Sequence, residues 1–287
     1  MISLSQKIWH YVRNRLWTWR YHLYRRNHRE EILTLTLKAI YESTFQYRAT
    51  LLRMRKTEAY NQVFGQQEPL VSIRVPTHNR AHILAERAIS SIRAQTYKNI
   101  EVIVVGDNCT DDTEGVIKRI GDNRITFVTL PDRGPCPEDK TDYWRVVGTA
   151  AANLATSLAK GDWICPLDDD DEFYPTHVED LLRFALQGKF EFAYGKVNII
   201  KNNILLEKTC GAFPPRMGTC PMQASIYLRL LGFVEYDRNA WLFEEPGDWN
   251  LVRRLVEIGV RIGFLDKIVG AVYQEDHRFR QSRAENA

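Results

Sequence analysis

The chain has 287 residues, of which 44% are hydrophobic and 26% charged, and this composition is typical of a globular protein with a substantial core. The formal net charge of +3 conceals an uneven distribution, because residues 1–68 hold 12 Lys and Arg against 5 Asp and Glu, whereas the remainder holds 27 against 31. The basic charge belongs to the amino-terminal segment, and we expect no nucleic-acid partner for the body of the protein.

The cysteines and the apolar runs bear on the cellular compartment. Five cysteines are scattered without a CxxC pair, which favours a reducing compartment over a disulfide-stabilised or zinc-binding protein. No apolar run approaches the roughly 20 residues that span a bilayer, and the amino terminus lacks the features of a secretory signal. We therefore expect a cytoplasmic protein, either free or peripheral at the inner face of a membrane.

An amphipathic helix is predicted over residues 5–29. Apolar residues recur at helical spacing from Ile8 to Leu23, and arginines fall mainly on the other face. An arginine-rich face flanked by Trp and Tyr is typical of a helix lying on anionic lipid, so residues 1–30 are a candidate for peripheral membrane contact. Docking on the rest of the protein or on a partner chain explains the same pattern equally well.

A second helix is predicted from Glu31 to about Asn61, and a linker ending at Pro69 closes this helical segment. From Leu70 onward, short apolar strands alternate with amphipathic helices. We predict strands at 70–75, stopped by Pro76, and at 100–105, 125–130 and 163–167. Helices are predicted at 81–94, from a cap at Thr110, and through 150–158. This succession predicts an α/β fold with a mostly parallel sheet, right-handed crossovers and flanking helices.

Four consecutive aspartates, residues 168–171, directly follow the fourth predicted strand. Adjacent carboxylates repel one another unless a cation or hydrogen-bond donors neutralise them. Such an oxygen-rich cluster suits Mg²⁺ or Mn²⁺, with substrate phosphates completing the coordination, although an acidic run is otherwise a solvated loop.

Ligands of parallel sheets bind beyond the carboxyl ends of the strands, where the strand order reverses. If the first strand is central, the loops at 76–80, 106–110 and 168–171 meet at that edge. Neither GxGxxG after the first strand nor GxxxxGK[ST] is present, which disfavours a dinucleotide oxidoreductase and a P-loop NTPase.

Four stretches follow one another along the chain: VSIRVPTHNR at 71–80, QTY at 95–97, IVVGDNCTDDT at 103–113 and LDDDD at 167–171. Each motif is modest alone, but four in register are specific. Together they resemble the inverting family 2 glycosyltransferases, which have a GT-A fold. The resemblance covers about 69–173 and continues weakly to Tyr273, so we divide the chain into a helical segment, 1–68, and a glycosyltransferase domain, 69–287.

The resemblance implies that 69–173 binds a nucleotide-sugar donor, usually UDP- or GDP-linked. By analogy with the family, Thr77, Arg80 and Asp107 contact the nucleotide. Asp168 and Asp170 match the DxD element. The resemblance implies that Asp170 coordinates a Mn²⁺ or Mg²⁺ ion and that Asp168 contacts the ribose or is a further ligand of the metal.

The chain departs from the family at two positions. Gly106 precedes Asp107 where the family usually has paired aspartates, which leaves the nucleotide contacts of that motif to Asp107. Ala152 stands where the family usually has the arginine of an Ala-Arg-Asn run, which removes one expected donor-side contact.

Residues 174–287 are expected to bind the acceptor, and a hairpin is predicted within 190–208. The stretch before a predicted helix resembles the family segment that supplies the catalytic base, with Asp248 the first choice and Glu245 the second. Asp248 could instead only cap that helix. His277 lies where related enzymes close the site on the diphosphate or metal, and an exposed tail histidine is the alternative.

The resemblance implies a metal-dependent, inverting transfer of a sugar to a hydroxyl of a saccharide, lipid-linked or protein acceptor. The alternative is a catalytically silent module that binds nucleotide sugars or is recruited to membranes. A nucleotidyltransferase would need a Gly-rich activating loop after the first strand, which the sequence lacks, and a phosphoacceptor receiver domain would be far shorter.

Overall fold

The computed structural model describes residues 29–202 and 204–274. Two helices precede the sheet, five accompany it in the first two-thirds of the domain, and one precedes the last strand. They are α1 (Arg29–Met54), α2 (Glu58–Val63), α3 (the consecutive segments Ala81–Ile83, Leu84–Ile89 and Ser90–Arg93), α4 (Thr113–Ile120), α5 (Lys140–Val146), α6 (Thr149–Leu158), α7 (His177–Gly188) and α8 (Gly247–Ile258).

One continuous sheet forms the centre of the described part of the chain. Its strands are β1 (Val71–Thr77), β2 (Ile100–Gly106), β3 (Ile125–Thr129), β4 (Trp163–Pro166), β5 (Glu172–Phe173), β6 (Phe192–Lys201), β7 (Ile204–Cys210), β8 (Ser225–Leu228) and β9 (Ile262–Gln274). The order is β3-β2-β1-β4-β8-β6-β9-β5, with β7 paired to β6. Strands β3, β2, β1 and β4 are mutually parallel, as predicted. Strand β8 pairs antiparallel with β4 on one side and with β6 on the other, so the complete sheet is mixed.

The first strand runs two residues further than the sequence indicated. We expected Pro76 to stop it, yet Pro76 pairs with Val105 and Thr77 with Gly106. The backbone groups of alternate β1 residues face β4, as Arg74 shows by accepting from the Leu167 N–H. Pro76 is on that side, where pairing with β4 has already ended at Arg74, so the missing N–H of proline costs no ladder hydrogen bond.

Two helix predictions need correction, and a third falls outside the described residues. The helix expected over 31–61 is divided into α1 and α2, because Thr57 caps α2 by accepting from the Tyr60 N–H. Thr110 does not cap α4, which begins at Thr113. The amphipathic helix predicted at 5–29 lies almost entirely outside the described residues. Within those residues, no helix is both long enough and apolar enough to cross a membrane.

The end of α1 and all of α2 pack on the sheet domain. Leu51, Met54, Tyr60 and Val63 are buried in the same core as the strands. Beneath them the fully buried carboxylate of Glu191 provides a polar anchor for the helices. It accepts two hydrogen bonds of 2.7 Å from the guanidinium of Arg55, one of 2.6 Å from the Tyr60 hydroxyl and one of 2.8 Å from the Arg261 backbone N–H. Each oxygen is therefore satisfied, which a buried carboxylate requires.

Candidate functional site

The loops after β1, β2 and β4 meet at one edge of the sheet because β1 lies between β2 and β4. Their backbones are in direct contact there. The Asp107 N–H donates to the Thr77 carbonyl at 2.7 Å, and the Leu167 N–H donates to the Arg74 carbonyl at 3.0 Å. The parallel order therefore brings together three chain segments that are up to about 90 residues apart.

Two asparagines shape the first two of these loops. Asn79 and Asn108 have φ angles of 49° and 59°, a left-handed conformation that asparagine tolerates better than most residues. The Asn79 side chain also joins the loops, since its Oδ1 accepts from the Thr110 N–H at 2.7 Å and its Nδ2 donates to the Thr110 hydroxyl at 3.0 Å. The loop after β1 is thus fixed to the loop after β2.

Two of the four aspartates, Asp169 and Asp170, share one guanidinium. Arg80 Nη1 is 3.1 Å from Asp169 Oδ1 and 3.0 Å from Asp170 Oδ2. The Thr77 hydroxyl donates to the other oxygen of Asp169 at 2.7 Å. Thr77, Arg80 and Asp170, each assigned to the donor or the metal from sequence, therefore lie within one hydrogen-bonded cluster centred on Asp169, which the sequence analysis did not single out.

The outer two aspartates have partners from the second half of the chain. Asp168 Oδ2 accepts from Gln223 Nε2 at 2.5 Å, and Asp171 Oδ1 accepts from the Tyr273 N–H at 2.9 Å. Tyr273 lies at the end of β9, next to the last described residue. Segments from both halves of the domain thus hold the acidic loop.

The charge of this loop allows a test of whether a cation would fit. Among residues 29–202 and 204–274, no three His, Cys, Asp or Glu side chains form a group that could hold a metal ion by themselves. Mg²⁺ and Mn²⁺, however, use one or two protein carboxylates together with substrate phosphates. Burial raises the pKa of Asp169 to about 6 despite the neighbouring Arg80, and the charges of Asp170 and Asp168 raise it further. The carboxylates of Asp168 and Asp170 offer the oxygen ligands that such an ion uses, with its remaining ligands coming from the substrate.

Asp107 is almost fully buried at the end of β2. Its Oδ2 is 3.3 Å from Arg133 Nε, while its Oδ1 has no hydrogen-bond partner in the described part of the chain. An unsatisfied buried carboxylate oxygen is costly unless a ligand provides the donor. Asp107 is thus able to accept a hydrogen bond from a bound molecule.

The structure also explains why glycine precedes Asp107. A Cβ atom on Gly106 would lie 3.0 Å from Cys109 Sγ, 3.0 Å from Thr129 Oγ1 and 3.3 Å from the Phe127 ring. A side chain at this position would require these three side chains to move by a few tenths of an ångström, so glycine suits the close packing here.

Asp248, in the first turn of α8, is half-buried and close enough to Asp168 and to Arg74 for their charges to interact. The surrounding protein raises the pKa of Asp248 chiefly by excluding water, and the charge of Asp168 raises it further, while Arg74 opposes both effects. Its Oδ1 also accepts from the Trp249 N–H at 2.6 Å. A carboxylate with a raised pKa beside the acidic loop is suited to accept a proton.

The other two candidates are placed differently. The Glu245 carboxylate is held by Arg253, at 2.7 and 2.9 Å, and by Asn250 Nδ2 at 2.8 Å, so both oxygens already stabilise α8. This makes Glu245 a poorer acceptor for a substrate proton than Asp248. His277 lies outside the described residues.

Sequence reasoning missed several polar residues around this edge. Arg74 is a buried charge within an apolar strand, and it donates to the Tyr236 hydroxyl, whose ring it also faces. That lone charge in a strand was the signal that could have identified it. Arg133 lies in a loop and Gln223 in a single 3₁₀ turn, Met222–Ala224. Nothing in the local sequence predicts which partner either side chain reaches.

The comparisons with known proteins concern the family and the fold. The chain matches the family model described as "Glycosyl transferase family 2" over residues 72–138 and 141–235. It is similar to an Escherichia coli protein named UDP-Glc:alpha-D-GlcNAc-diphosphoundecaprenol beta-1,3-glucosyltransferase WfgD. The two are 33% identical over 140 residues, which are 48% of this chain and 50% of that protein. The chain thus spans about half the length of this relative.

Two solved structures share the fold. The S. aureus TarS 1-349 structure in complex with UDP superposes with a TM-score of 0.54 at 17% identity and covers 74% of this chain and 62% of that chain. Mannosyltransferase PcManGT from Pyrobaculum calidifontis, in complex with GDP-Man and Mn²⁺, gives a TM-score of 0.54 at 15% identity, with 86% and 70% covered. These likenesses confirm the predicted GT-A fold.

Proposed function

This chain belongs to glycosyl transferase family 2, and on that premise we propose that it transfers a sugar from a UDP- or GDP-linked donor to an acceptor hydroxyl, with inversion and with the help of a divalent cation. The observation that carries the proposal is the meeting of three strand-end loops with Asp248 at one edge of the sheet. A donor bound by these loops would then have its anomeric carbon facing α8.

The donor is held by residues of the first half, 69–173, in this proposal. The free oxygen of Asp107 accepts a hydrogen bond from the base or the ribose, which the unsatisfied Oδ1 supports. Thr77 and Asp168 contact the nucleotide, and Arg80 pairs with the diphosphate, for which a planar guanidinium is well suited.

Asp170 and Asp168 are the residues that would hold Mn²⁺ or Mg²⁺, and His277 remains a sequence-based candidate for the same role. When bound, such an ion neutralises negative charge on the diphosphate leaving group. The solved structure of a mannosyltransferase with Mn²⁺ supports the use of a divalent ion by proteins of this fold.

The base in this proposal is Asp248. Its ionised carboxylate takes the proton from the acceptor hydroxyl while the acceptor oxygen bonds to the anomeric carbon. The bond between that carbon and the diphosphate oxygen breaks, and its electron pair leaves with the diphosphate. Attack from the face opposite the leaving group inverts the anomeric configuration. A well-placed base contributes roughly 10²- to 10⁴-fold to the rate.

The acceptor is bound by the second half of the domain, 174–287, and we propose a lipid-linked saccharide. The name of the E. coli relative, which acts on a diphosphoundecaprenol-linked sugar, supports this class. An enzyme with such an acceptor works at a membrane surface, where the basic segment at 1–30 would contact anionic lipid. Liposome flotation of the full chain and of a chain lacking residues 1–30 tests that contact, and equal flotation of both would contradict it.

Enzymatic activity is tested by incubating the chain with a panel of UDP- and GDP-sugars, Mn²⁺ or Mg²⁺, and a polyprenyl-diphosphate-linked sugar. Release of UDP or GDP that depends on the acceptor, with a product of inverted anomeric configuration by NMR, is the expected result. Donor binding without any turnover across the panel would favour the alternative, a catalytically silent nucleotide-sugar-binding module.

A further inference from the structure

Arg80 occupies an unusual position for a residue that is expected to bind phosphate. Its guanidinium bridges Asp169 and Asp170 through one nitrogen, at 3.1 and 3.0 Å. Both aspartates are less than one-tenth exposed, at 5% and 8%, so their carboxylates need a positive partner. One positive charge therefore serves two buried carboxylates.

This position conflicts with the roles that the donor and the cation require. A divalent ion on Asp170 would approach to within a few ångströms of the Arg80 guanidinium, and two like charges at that distance repel strongly in a half-buried site. A diphosphate would also attract the Arg80 guanidinium. Arg80 contacts both aspartates through Nη1 alone, but its single positive charge cannot neutralise Asp169, Asp170 and a diphosphate together.

Arg80 is the most exposed member of this cluster. It precedes the first helical residue of α3, with φ of −136° and ψ of 35°, so it lies outside the helix. Its side chain is 27% exposed, whereas those of Asp169 and Asp170 are 7% and 11% exposed. A long arginine side chain has several rotatable bonds and reaches a second partner more readily than two short, buried aspartate side chains.

We propose that Arg80 holds Asp169 and Asp170 while no cation is bound, and that it moves to the diphosphate when a divalent cation takes Asp170. This inference rests on the proposed function, because it needs a nucleoside diphosphate as the second partner. Arg80 is then a positioning residue that couples the two binding events. Each ligand removes a competitor of the other, and by linkage the enhancement is equal in both directions.

The coupling is measured by titrating the full chain with Mn²⁺ and following free Mn²⁺ by electron paramagnetic resonance, without nucleotide and at saturating UDP, with GDP in a parallel series. In the wild-type chain, the nucleotide is expected to raise Mn²⁺ affinity by roughly 5- to 150-fold, the usual range of such coupling. Arg80→Met is expected to bind Mn²⁺ alone more tightly than wild type, because its competitor is gone. The nucleotide should then raise Mn²⁺ affinity by a smaller factor in this variant than in wild type, because direct ligation by phosphate remains while the competition with Arg80 is gone.

Two controls separate this effect from a general loss of charge. Arg80→Lys keeps a cation beside the carboxylates and should bind Mn²⁺ alone as wild type does. Arg93→Met removes an exposed charge from the same helix, away from the acidic loop, and should behave as wild type throughout. If Arg80→Met does not fold, Arg80→Gln, which keeps a hydrogen-bond donor but no charge, gives the same comparison.

The outcomes distinguish this inference from the proposed function. Unchanged or weaker binding of Mn²⁺ alone by the uncharged variants overturns the role of Arg80, even if nucleotides bind. A wild-type chain that binds neither UDP nor GDP contradicts the proposed function. If that chain binds no nucleotide but its uncharged variants bind Mn²⁺ alone more tightly, the competition between Arg80 and the cation is supported and only the proposed function fails.

Discussion

Asn79 and Thr110 are joined by two hydrogen bonds. The Asn79 amide accepts from the Thr110 N–H at 2.7 Å and donates to the Thr110 hydroxyl at 3.0 Å. This pair fixes the distance between the loops after β1 and β2, which carry Arg80 and Asp107. Donor affinity should therefore depend on Asn79, although we assign it no contact with the donor.

Asn79→Ala should loosen both loops. The substitution removes these hydrogen bonds and places alanine at a φ of 49°, which together cost about 1–3 kcal/mol. We expect a lower Tm and roughly tenfold weaker UDP binding by calorimetry. Asn79→Asp keeps the acceptor and tolerates the backbone conformation, so it should retain most of the affinity. Equal losses in both variants would count against this positioning role.

Asp248→Asn should separate chemistry from donor binding. The amide cannot accept the acceptor proton, so turnover should fall by about 10²-fold or more, while UDP affinity stays close to that of wild type. Glu245→Gln is the matched control, since it weakens the ion pair with Arg253 and should lower Tm while retaining turnover. A similar loss of turnover in both variants would contradict the choice of Asp248.

The pH dependence of turnover follows from the raised pKa of Asp248. The carboxylate must be ionised to accept a proton, so kcat/KM should decrease as pH falls through this pKa, which lies above the ordinary value of 3.8. Rates measured from pH 9 down to pH 3.8 with a fixed acceptor should show this acid limb. If kcat/KM shows no decrease over that range while the protein stays folded, Asp248 is not the base.

The raised pKa of Asp169 predicts how the stability of the protein depends on pH. Its pKa is raised to about 6 in the folded protein, so the protonated form is favoured on folding. The associated stabilisation is complete below the unfolded pKa of about 3.8 and is lost as pH rises through about 6. Asp169→Asn resembles the protonated form at every pH. The Tm of the variant relative to wild type should therefore increase between pH 4 and 7, and a constant difference would refute the assignment.

Arg55 should matter far more to stability than its neighbour Arg53. Arg55→Ala leaves the buried Glu191 carboxylate without its guanidinium, and breaking a buried ion pair costs roughly 3 kcal/mol. Arg53 donates to the exposed Thr50 hydroxyl, so Arg53→Ala should change the free energy of unfolding by less than about 0.5 kcal/mol. Urea denaturation of both variants provides the comparison.

The family and the fold class could be predicted from sequence because both depend on local patterns. Apolar runs define β1, β2 and β4, and the aspartates after β4 mark the ligand-binding edge. Alternation of strands and helices then implies the parallel direction that was found for β1 to β4. The extension of β1 through Pro76 could not be predicted in this way. It depends on which neighbouring strand the backbone of Pro76 faces, and the sequence of β1 alone does not contain that information.

The contacts within the site were less accessible to sequence reasoning. Asp168 and Gln223 are separated by 55 positions, and Arg80 reaches its carboxylates across about 90. The hairpin predicted within 190–208 is present as β6 and β7. Strand β8, which pairs antiparallel with β4 and so joins the second half of the chain to the first, has no distinctive motif. Sequence suggested which side chains carry chemistry, whereas their pairing required the tertiary structure.

The carboxylate of Glu191 also limits how the protein could be shortened. It lies before β6, in the interior of the domain, yet its guanidinium partner and its phenolic partner both come from residues before 69. A fragment starting at Leu70 would retain every strand, but the interior carboxylate would lose its close guanidinium partner and keep only the Arg261 backbone N–H and the Arg261 guanidinium, whose Nε is 4.0 Å away. Truncation to a minimal catalytic unit therefore has to preserve the turn around Arg55, and a search for soluble fragments should begin upstream of it.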